Sequence, residues 1–339
     1  MKKATVVLAL VLSAVMLSTI GSCAPKVKKI KIGLSLPTQR EERWARDKTT
    51  MLAEGLKGGV EIKLQISDND AAKQISQCEN LLAQGIDVLI LAPNDAKSAS
   101  TIVEKAHKAN IKVISYDRLV LNCDLDIYLS FDNVKVGEIQ GEYITKLVPK
   151  GNYIVLSGAP TDNNAALFKQ GAMKFIQPLV DKKDIKIVME QGVKDWQPSE
   201  AMKLVEQSLT ANNNKIDAIL APNDGTAGGA IQALAAQKLA GIIPITGQDA
   251  ELAAAQRIVE GSQTMTVYKD TRMLGAKAIE IAIKIVKGEA LDINNKVNNG
   301  KIDVPSILLT PLMVDKSNID EILVKSGYLK AADVYKTNK

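Results

Sequence analysis

Four apolar runs in the sequence end in side chains that can exchange hydrogen bonds with hydroxyl groups. The residues at or just after these ends are Asp117 and Arg118, Asn223 and Asp224, Asp249, and Lys269. Buried parallel strands bring such groups to the carboxyl edge of a sheet, where ligands of open α/β folds bind. So many converging polar groups, without an evident catalyst, predict a site for a small polyhydroxylated ligand.

The residue types suit a ring that carries several hydroxyls. Asp117 and Asp249 can accept from neighbouring hydroxyls, and Arg118 can donate through a rigid fork. Asn223 can do both, and Lys269 adds a charged donor. In a closed, dry cleft a missing hydroxyl leaves a buried polar group unpaired, at roughly 1–3 kcal/mol. Such a site would therefore select among related ligands.

From residue 29 onward the hydrophobic periodicity alternates between strand and helix. The predicted strands are 30–36, 60–66, 88–92, 112–116, 127–131, 153–156, 185–189, 217–221 and 243–246. The predicted helices are 42–56, 71–83, 98–108, 134–147, one through Phe168 and Phe175, 199–209, 226–240 and 273–286. This alternation predicts an α/β fold of two Rossmann-like lobes, each a doubly wound parallel sheet.

The length of 339 residues suits two domains. We predict a first lobe of 29–131 plus 270–309, a second lobe of 132–269 plus 310–330, and a tail of 331–339. The chain would then cross between lobes near 131, 269 and 310. Three crossing segments form a hinge that permits the lobes to rotate.

The charge balance does not favour a nucleic-acid partner. The formal net charge is +5, and cleavage before Cys23 would lower it to +3 by removing Lys2 and Lys3. The lysines are spread over predicted helices and form no basic stripe of the kind that follows phosphates.

The amino terminus has the pattern of an export signal. Lys2 and Lys3 precede a short apolar run and the small residues before Cys23. We predict a lipoprotein signal peptide at 1–22, lipidation of Cys23 and a tether at 23–28, which would hold the protein on the extracytoplasmic face of a membrane. An ordinary signal peptide with an incidental cysteine is the alternative.

Two further cysteines, Cys78 and Cys123, could pair in an exported protein. Their predicted positions, on a helix and in a loop, favour two unpaired side chains. His107 is the only histidine, so the sequence suggests no metal site, and we expect no cofactor.

Several motifs, in order, resemble those of a known family. They are Glu42-Arg43-Trp44, Tyr116-Asp117-Arg118, Ser130-Phe131-Asp132-Asn133, Asp162-Asn163-Asn164-Ala165, Trp196, residues 209–218, Asn223-Asp224, residues 226–234, Gly247-Gln248-Asp249-Ala250, residues 263–269 and Asp303-Val304-Pro305-Ser306. The chain resembles periplasmic sugar-binding proteins of the ribose/galactose type. Within that group it is most similar to members that bind D-xylose for bacterial ATP-driven importers. The resemblance covers nearly the whole mature chain.

The resemblance implies the type I periplasmic binding protein fold and a monomer that captures an aldopentose for a membrane permease. It implies sugar contacts by Arg43, Trp44, Asp117, Arg118, Asn164, Trp196, Asn223, Asp249 and Lys269. One departure concerns the end of the first strand, where Leu36-Pro37-Thr38-Gln39 replaces adjacent acidic residues of the xylose-binding members.

Structural roles are open for several of these residues. Asp162 and Asp224 are interpreted as helix caps rather than ligand contacts. Asp117 and Arg118 could instead form an ion pair with each other at a strand end. Trp196 could be core packing, and Lys269 could be a hinge residue without ligand contact.

Three functions are considered for these residues. The first is the solute-binding lipoprotein of an importer, and a sensory variant would deliver the bound sugar to a chemoreceptor. The second is a sugar-responsive transcription repressor, but the export signal occupies the place of its DNA-binding segment. The third is a glycosidase using Asp117 and Asp249, whose cationic neighbours would keep both ionised and so favour binding over acid catalysis.

Overall fold

The computed structural model describes residues 29–335. The predicted signal peptide, Cys23 and the tether lie outside the described residues, as do residues 336–339. No described helix is long and apolar enough to cross a membrane.

Strand and helix alternate through the first part of the chain. The elements are β1 (Lys31–Leu36), α1 (Glu42–Lys57), β2 (Glu61–Ile66), α2 (Ala71–Ala83), β3 (Val88–Leu91), α3 (Ser100–Lys108), β4 (Lys112–Tyr116) and β5 (Ile127–Phe131). β4 and β5 have the predicted bounds, because each is a short, mainly apolar segment followed directly by polar residues.

The alternation continues after β5. The elements are α4 (Asn133–Leu147), β6 (Gly151–Ser157), α5 (Asn163–Asp181), β7 (Ile185–Gly192), α6 (Pro198–Ala211), β8 (Ala218–Leu220), α7 (Asp224–Ala236), α8 (Leu252–Glu260) and β9 (Met265–Tyr268). Then follow α9 (Thr271–Lys287), β10 (Asn295–Asn298), β11 (Asp303–Leu309), β12 (Leu312–Asp315) and α10 (Ala331–Val334). α10 falls in the segment interpreted as a tail, yet its Val334 is buried beside Ile258 of α8.

The larger sheet has the strand order β10-β11-β5-β4-β3-β1-β2. β11, β5, β4, β3, β1 and β2 are parallel to their neighbours, whereas β10 pairs antiparallel with β11 at the edge. Successive residues of β3 face opposite sides of the sheet: Leu89 packs with Val103 of α3, and Ile90 packs with Met51 of α1. Helices cover both faces, which explains the continuous apolar runs. We call this sheet and its helices the first lobe.

The second lobe is built on a parallel sheet in the order β7-β6-β8. The predicted strand 243–246 is reduced to a single bridge between Ile219 and Ile245. β9 pairs antiparallel with β12, and we include both in this lobe. Helix α8 matches no predicted element.

The chain passes from one sheet to another between β11 and β12. β11 pairs with β5 in the first lobe, whereas β12, only a few residues later, pairs with β9.

Cys78 and Cys123 are buried free thiols of the first lobe, as predicted, and burial raises the pKa of each to about 11.

Candidate functional site

A polar cavity lies between the lobes, beside the carboxyl ends of strands from both. It is lined by Glu41, Arg43, Trp44, Asp117, Arg118, Asp162, Asn164, Phe168, Trp196, Asn223, Gln248, Asp249 and Lys269. All nine residues nominated from the sequence are therefore brought to one cavity.

Arg43, in the first turn of α1, is the centre of a buried charge network. Its Nη1 lies 2.6 Å from Asp117 Oδ2, and its Nε donates to Asp47 Oδ2 at 3.1 Å. Asp47 lies one helical turn further along and also accepts from the Tyr116 hydroxyl. Burial raises the pKa of Asp47 to about 6 against the opposing charge of Arg43. The network fixes the guanidinium at the cavity wall.

Asp117 follows β4 in the left-handed region, with φ of 59°. This conformation breaks the extended backbone directly after the strand. Burial alone would raise its pKa, but the charges of Arg43 and Lys269 outweigh burial and lower the pKa below its usual range. Asp117 is therefore an ionised acceptor, which suits hydroxyl binding and does not suit acid catalysis.

Lys269 follows β9 and is buried, with its Nζ 3.0 Å from Asp249 Oδ1 and 3.9 Å from Asp117 Oδ2. The Nζ also lies 5.6 Å from the centre of the Phe168 ring. Lys269 thus stands between the two carboxylates contributed by the two lobes. Its position at the junction of β9 and α9 is compatible with the hinge role considered from sequence, but it also lines the cavity.

Arg118 does not pair with the neighbouring Asp117, contrary to one interpretation of the sequence. Its Nε lies 2.8 Å from Asp162 Oδ2, across the gap between the lobes. Asp162 caps α5 through the Asn164 backbone N–H, as predicted, and accepts from Trp196 Nε1 at 3.2 Å. Asp162 is therefore both a cap and part of the cavity wall.

Asn164 and Asn223 differ in which of their side-chain atoms already have hydrogen-bond partners within the protein. Asn164 Nδ2 donates to the Asp117 backbone oxygen at 3.0 Å, and its Oδ1 accepts from Asn133 Nδ2 at 3.0 Å. Asn223 caps α7, and its Oδ1 accepts from the Thr226 backbone N–H and hydroxyl. None of the hydrogen bonds described for Asn223 involves its Nδ2. This group is therefore available as a donor at the cavity.

The cap role predicted for Asp224 is wrong, because Asn223 holds that position. Asp224 is fully buried behind the cavity and accepts from Gln263 Nε2 at 2.7 Å, the Thr266 hydroxyl at 2.9 Å and the Glu251 backbone N–H at 3.0 Å. These bonds tie α7 to the chain on both sides of α8. Asp224 thus supports the loop that carries Asp249.

Both tryptophans of the chain lie at the cavity. The Trp44 ring has the Arg43 and Arg118 guanidinium carbons at 4.5 and 5.3 Å from its centre. The Trp196 ring meets Phe168 edge-on at 6.3 Å. A Cβ at Gly158 would lie 2.0 Å from the Trp196 ring, so only glycine there leaves the ring its place. The two flat faces offer apolar partners for the C–H face of a ring.

Sequence reasoning missed Glu41, Phe168 and Gln248 as cavity residues, and it set Asp162 aside. Glu41 stands two residues before Arg43, and Gln248 directly precedes Asp249. Phe168 lies one turn beyond Asn164 on α5, and residues four apart share a helix face. Proximity to nominated residues was therefore the available signal.

Contacts outside the cavity also join the lobes. The Ala96 backbone N–H donates to Thr161 O at 2.9 Å, and the Leu252 backbone N–H donates to Glu42 Oε2 at 2.9 Å. Arg40 donates to the Asp195 backbone oxygen. Together with the ion pair of Arg118, these contacts define a closed arrangement.

Glu251 provides a pH-dependent test of this region. Burial, then the nearby charges of Asp224 and Asp249, raise its pKa to about 8. An unfolded glutamate has a pKa of about 4.3, so the folded state binds more protons between these values and its stability falls as the pH rises through them. We expect Glu251→Gln to stabilise the ligand-free protein by at least about 1 kcal/mol more at pH 8 than at pH 5. Urea unfolding at both pH values measures this, with Glu289→Gln as the exposed control; an equal difference at both pH values would contradict it.

In residues 29–335 no three His, Cys, Asp or Glu side chains are grouped so as to hold a metal ion.

A two-lobed α/β fold that closes over a polar cavity, with its charged groups paired to one another, defines a solute-binding protein. Residues 32–290 match the family model described as a periplasmic binding protein domain, and the chain belongs to that family. The family consists of binding proteins, not enzymes.

Similar proteins match nearly the whole chain. The D-xylose-binding periplasmic protein of Haemophilus influenzae is 46% identical, over 94% of this chain and 96% of its own length. The protein of the same description from Escherichia coli K12 is 45% identical, over 92% and 94%. A carbohydrate transporter solute binding protein from Chloroflexus aurantiacus, solved in complex with D-glucose, is 35% identical with a TM-score of 0.85, over 90% and 98% of the two chains.

Proposed function

We propose that this protein is the extracytoplasmic sugar-binding component of an ATP-driven importer, with D-xylose as its ligand. The observation that carries the proposal is the closed cavity between the lobes, where buried ionic and amide groups meet two tryptophans. The two relatives described as D-xylose-binding support the choice of sugar.

Three acceptor atoms at the cavity that receive no hydrogen bond favour a ligand rich in hydroxyl donors. Glu41 Oε2, Gln248 Oε1 and Asp249 Oδ1 are buried and accept no hydrogen bond from the described residues. Asp249 Oδ1 is, however, ion-paired with Lys269 at 3.0 Å. All three are acceptors, so a ligand that donates several hydrogen bonds would satisfy them. The donors Arg43, Lys269 and Asn223 Nδ2 would serve the sugar oxygens.

The ligand would act by stabilising closure. Arg43, Asp117 and Arg118 belong to the proposed first lobe, whereas Asn164, Trp196, Asn223 and Asp249 belong to the second, with Lys269 at the hinge. A sugar that contacts both sets only when the lobes meet shifts the equilibrium toward the closed state. The permease would then recognise the closed form. The lobe boundaries of 29–131 plus 270–309 and 132–269 plus 310–330 are part of this proposal.

Export and anchoring complete the proposal. Cleavage after residue 22 and lipidation of Cys23 would tether a monomer to the extracytoplasmic face of the membrane. Digestion of the purified protein followed by mass analysis of its first peptide tests this. An acylated Cys23 is expected, and an unmodified peptide would restrict the proposal to a freely diffusing protein.

Tryptophan fluorescence tests the sugar. We expect emission to change on titration with D-xylose, with a dissociation constant of roughly micromolar order, because the two tryptophans of the chain are Trp44 and Trp196. Arabinose, ribose, glucose and galactose form the comparison panel. Trp44→Phe and Trp196→Phe assign the signal. A response to glucose but not xylose would favour another monosaccharide, as the D-glucose complex of the Chloroflexus protein allows. No binding of any sugar, checked by calorimetry, would refute the proposal.

A further inference from the structure

Glu41 occupies the N-cap position of α1 but does not cap it. Its backbone is extended, with φ of −74° and ψ of 133°, and its side chain makes no capping hydrogen bond. The residue is only 8% exposed and lines the cavity between the lobes. The carboxylate therefore serves something other than the helix end.

One oxygen of this carboxylate is held and the other is free. Glu41 Oε1 accepts from Arg40 Nε at 3.0 Å and from Arg40 Nη2 at 2.5 Å. Glu41 Oε2 is buried with no hydrogen-bond partner among the described residues. An unpaired buried carboxylate oxygen is unfavourable, so a donor from a ligand in the cavity would relieve it.

Arg40 makes this arrangement depend on closure. The guanidinium that holds Glu41 also donates to the backbone oxygen of Asp195, in the second-lobe loop that carries Trp196. Arg40 thus orients the free oxygen while the two lobes are together. If the lobes separated, this link would be lost and water could reach the Glu41 carboxylate.

We propose that Glu41 is a specificity-determining residue whose Oε2 accepts a hydrogen bond from one particular hydroxyl of the bound sugar. The proposal rests on the proposed function and names one contact within it. The alternative is that Glu41 only neutralises Arg40 and never touches the ligand. The two differ in whether the effect of Glu41 depends on a single hydroxyl.

A double-mutant cycle between protein and sugar tests this. Calorimetry measures the affinities of the native protein and Glu41→Leu for the preferred sugar and for each of its monodeoxy derivatives. We expect Glu41→Leu to weaken binding of the parent sugar about tenfold but to leave the affinity for one deoxy derivative nearly unchanged. Glu41→Gln, which keeps an acceptor oxygen, should restore part of the loss.

Glu42→Leu is the matched control, because it removes the same charge one residue away. Glu42 bonds Arg46 and the Leu252 backbone across the lobes and does not line the cavity. We expect it to weaken all sugars of the series by the same factor. Equal factors for Glu41→Leu across the whole series, or native affinity throughout, would overturn the proposal.

The design separates this inference from the choice of ligand. The series is built on whichever sugar binds in the fluorescence panel, so an error about D-xylose leaves the cycle intact. Thermal unfolding of each variant without ligand confirms that the fold is kept. Binding of no sugar would overturn both proposals, whereas binding with a uniform Glu41 effect would overturn only this one.

Discussion

Replacing Arg43 with methionine is expected to lower the free energy of unfolding of the ligand-free protein by about 3–5 kcal/mol and to abolish measurable sugar binding. Methionine keeps much of the aliphatic volume but leaves Asp47 and Asp117 without their shared guanidinium. Both carboxylates are at most 3% exposed, so water replaces the lost partner poorly. Removing one member of a buried ion pair is far more harmful than removing a whole pair.

Urea unfolding measures the stability of this variant, and calorimetry measures its affinity. Lys57→Met is the control on the same helix, since Lys57 pairs with Glu54 at the surface and such pairs contribute about 0–1 kcal/mol. A loss below about 1 kcal/mol for Arg43→Met would show that the network does not depend on the guanidinium.

Replacing Asp249 is expected to weaken sugar binding by roughly 10- to 150-fold, which corresponds to about 1.5–3 kcal/mol for a lost charged hydrogen bond. Asp249 is the nearest carboxylate to Lys269 and carries a buried oxygen without a well-formed hydrogen bond. Its removal would leave Lys269 with a single carboxylate at 3.9 Å and deprive the sugar of an acceptor.

Two variants separate charge from backbone at Asp249. Its φ of 94° is tolerated by asparagine better than by alanine, so Asp249→Asn isolates the charge, whereas Asp249→Ala adds strain. We therefore expect Asp249→Ala to lose stability and affinity, and Asp249→Asn to lose mainly affinity. Native affinity in Asp249→Asn would remove this carboxylate from the proposed site.

Hydrophobic periodicity predicted the parallel sheets because their strands are buried on both faces. The run at β4 stands out for this reason, and its end at Asp117 marks the sheet edge. By contrast β10 is mainly polar and three of its four residues are exposed, so no period distinguishes it from a loop. At residues 243–246 a strand was predicted that is not formed. The apolar residues there pack into the core but make only one bridge to the sheet.

Membership of the cavity was predictable where a polar residue ends an apolar run, as at Asp117 and Lys269. Glu41 and Gln248 were not predicted to line the cavity, because neither directly follows an apolar run. The roles of Asp162 and Asp224 could not be separated from sequence, since both precede or open a helix after a strand. Only tertiary contacts distinguish the ion pair of Asp162 with Arg118 from the support that Asp224 gives to the Asp249 loop.

The left-handed backbone at Asp117 and Asp249 restricts which substitutions could change the ligand specificity of this protein during evolution. At such positions only glycine, asparagine and aspartate avoid a steric penalty, of roughly 1–2 kcal/mol for other residues. Glu41 has ordinary extended backbone and accepts any side chain that fits. We therefore expect substitutions that change the ligand specificity to occur first at Glu41, while Asp117 and Asp249 are retained.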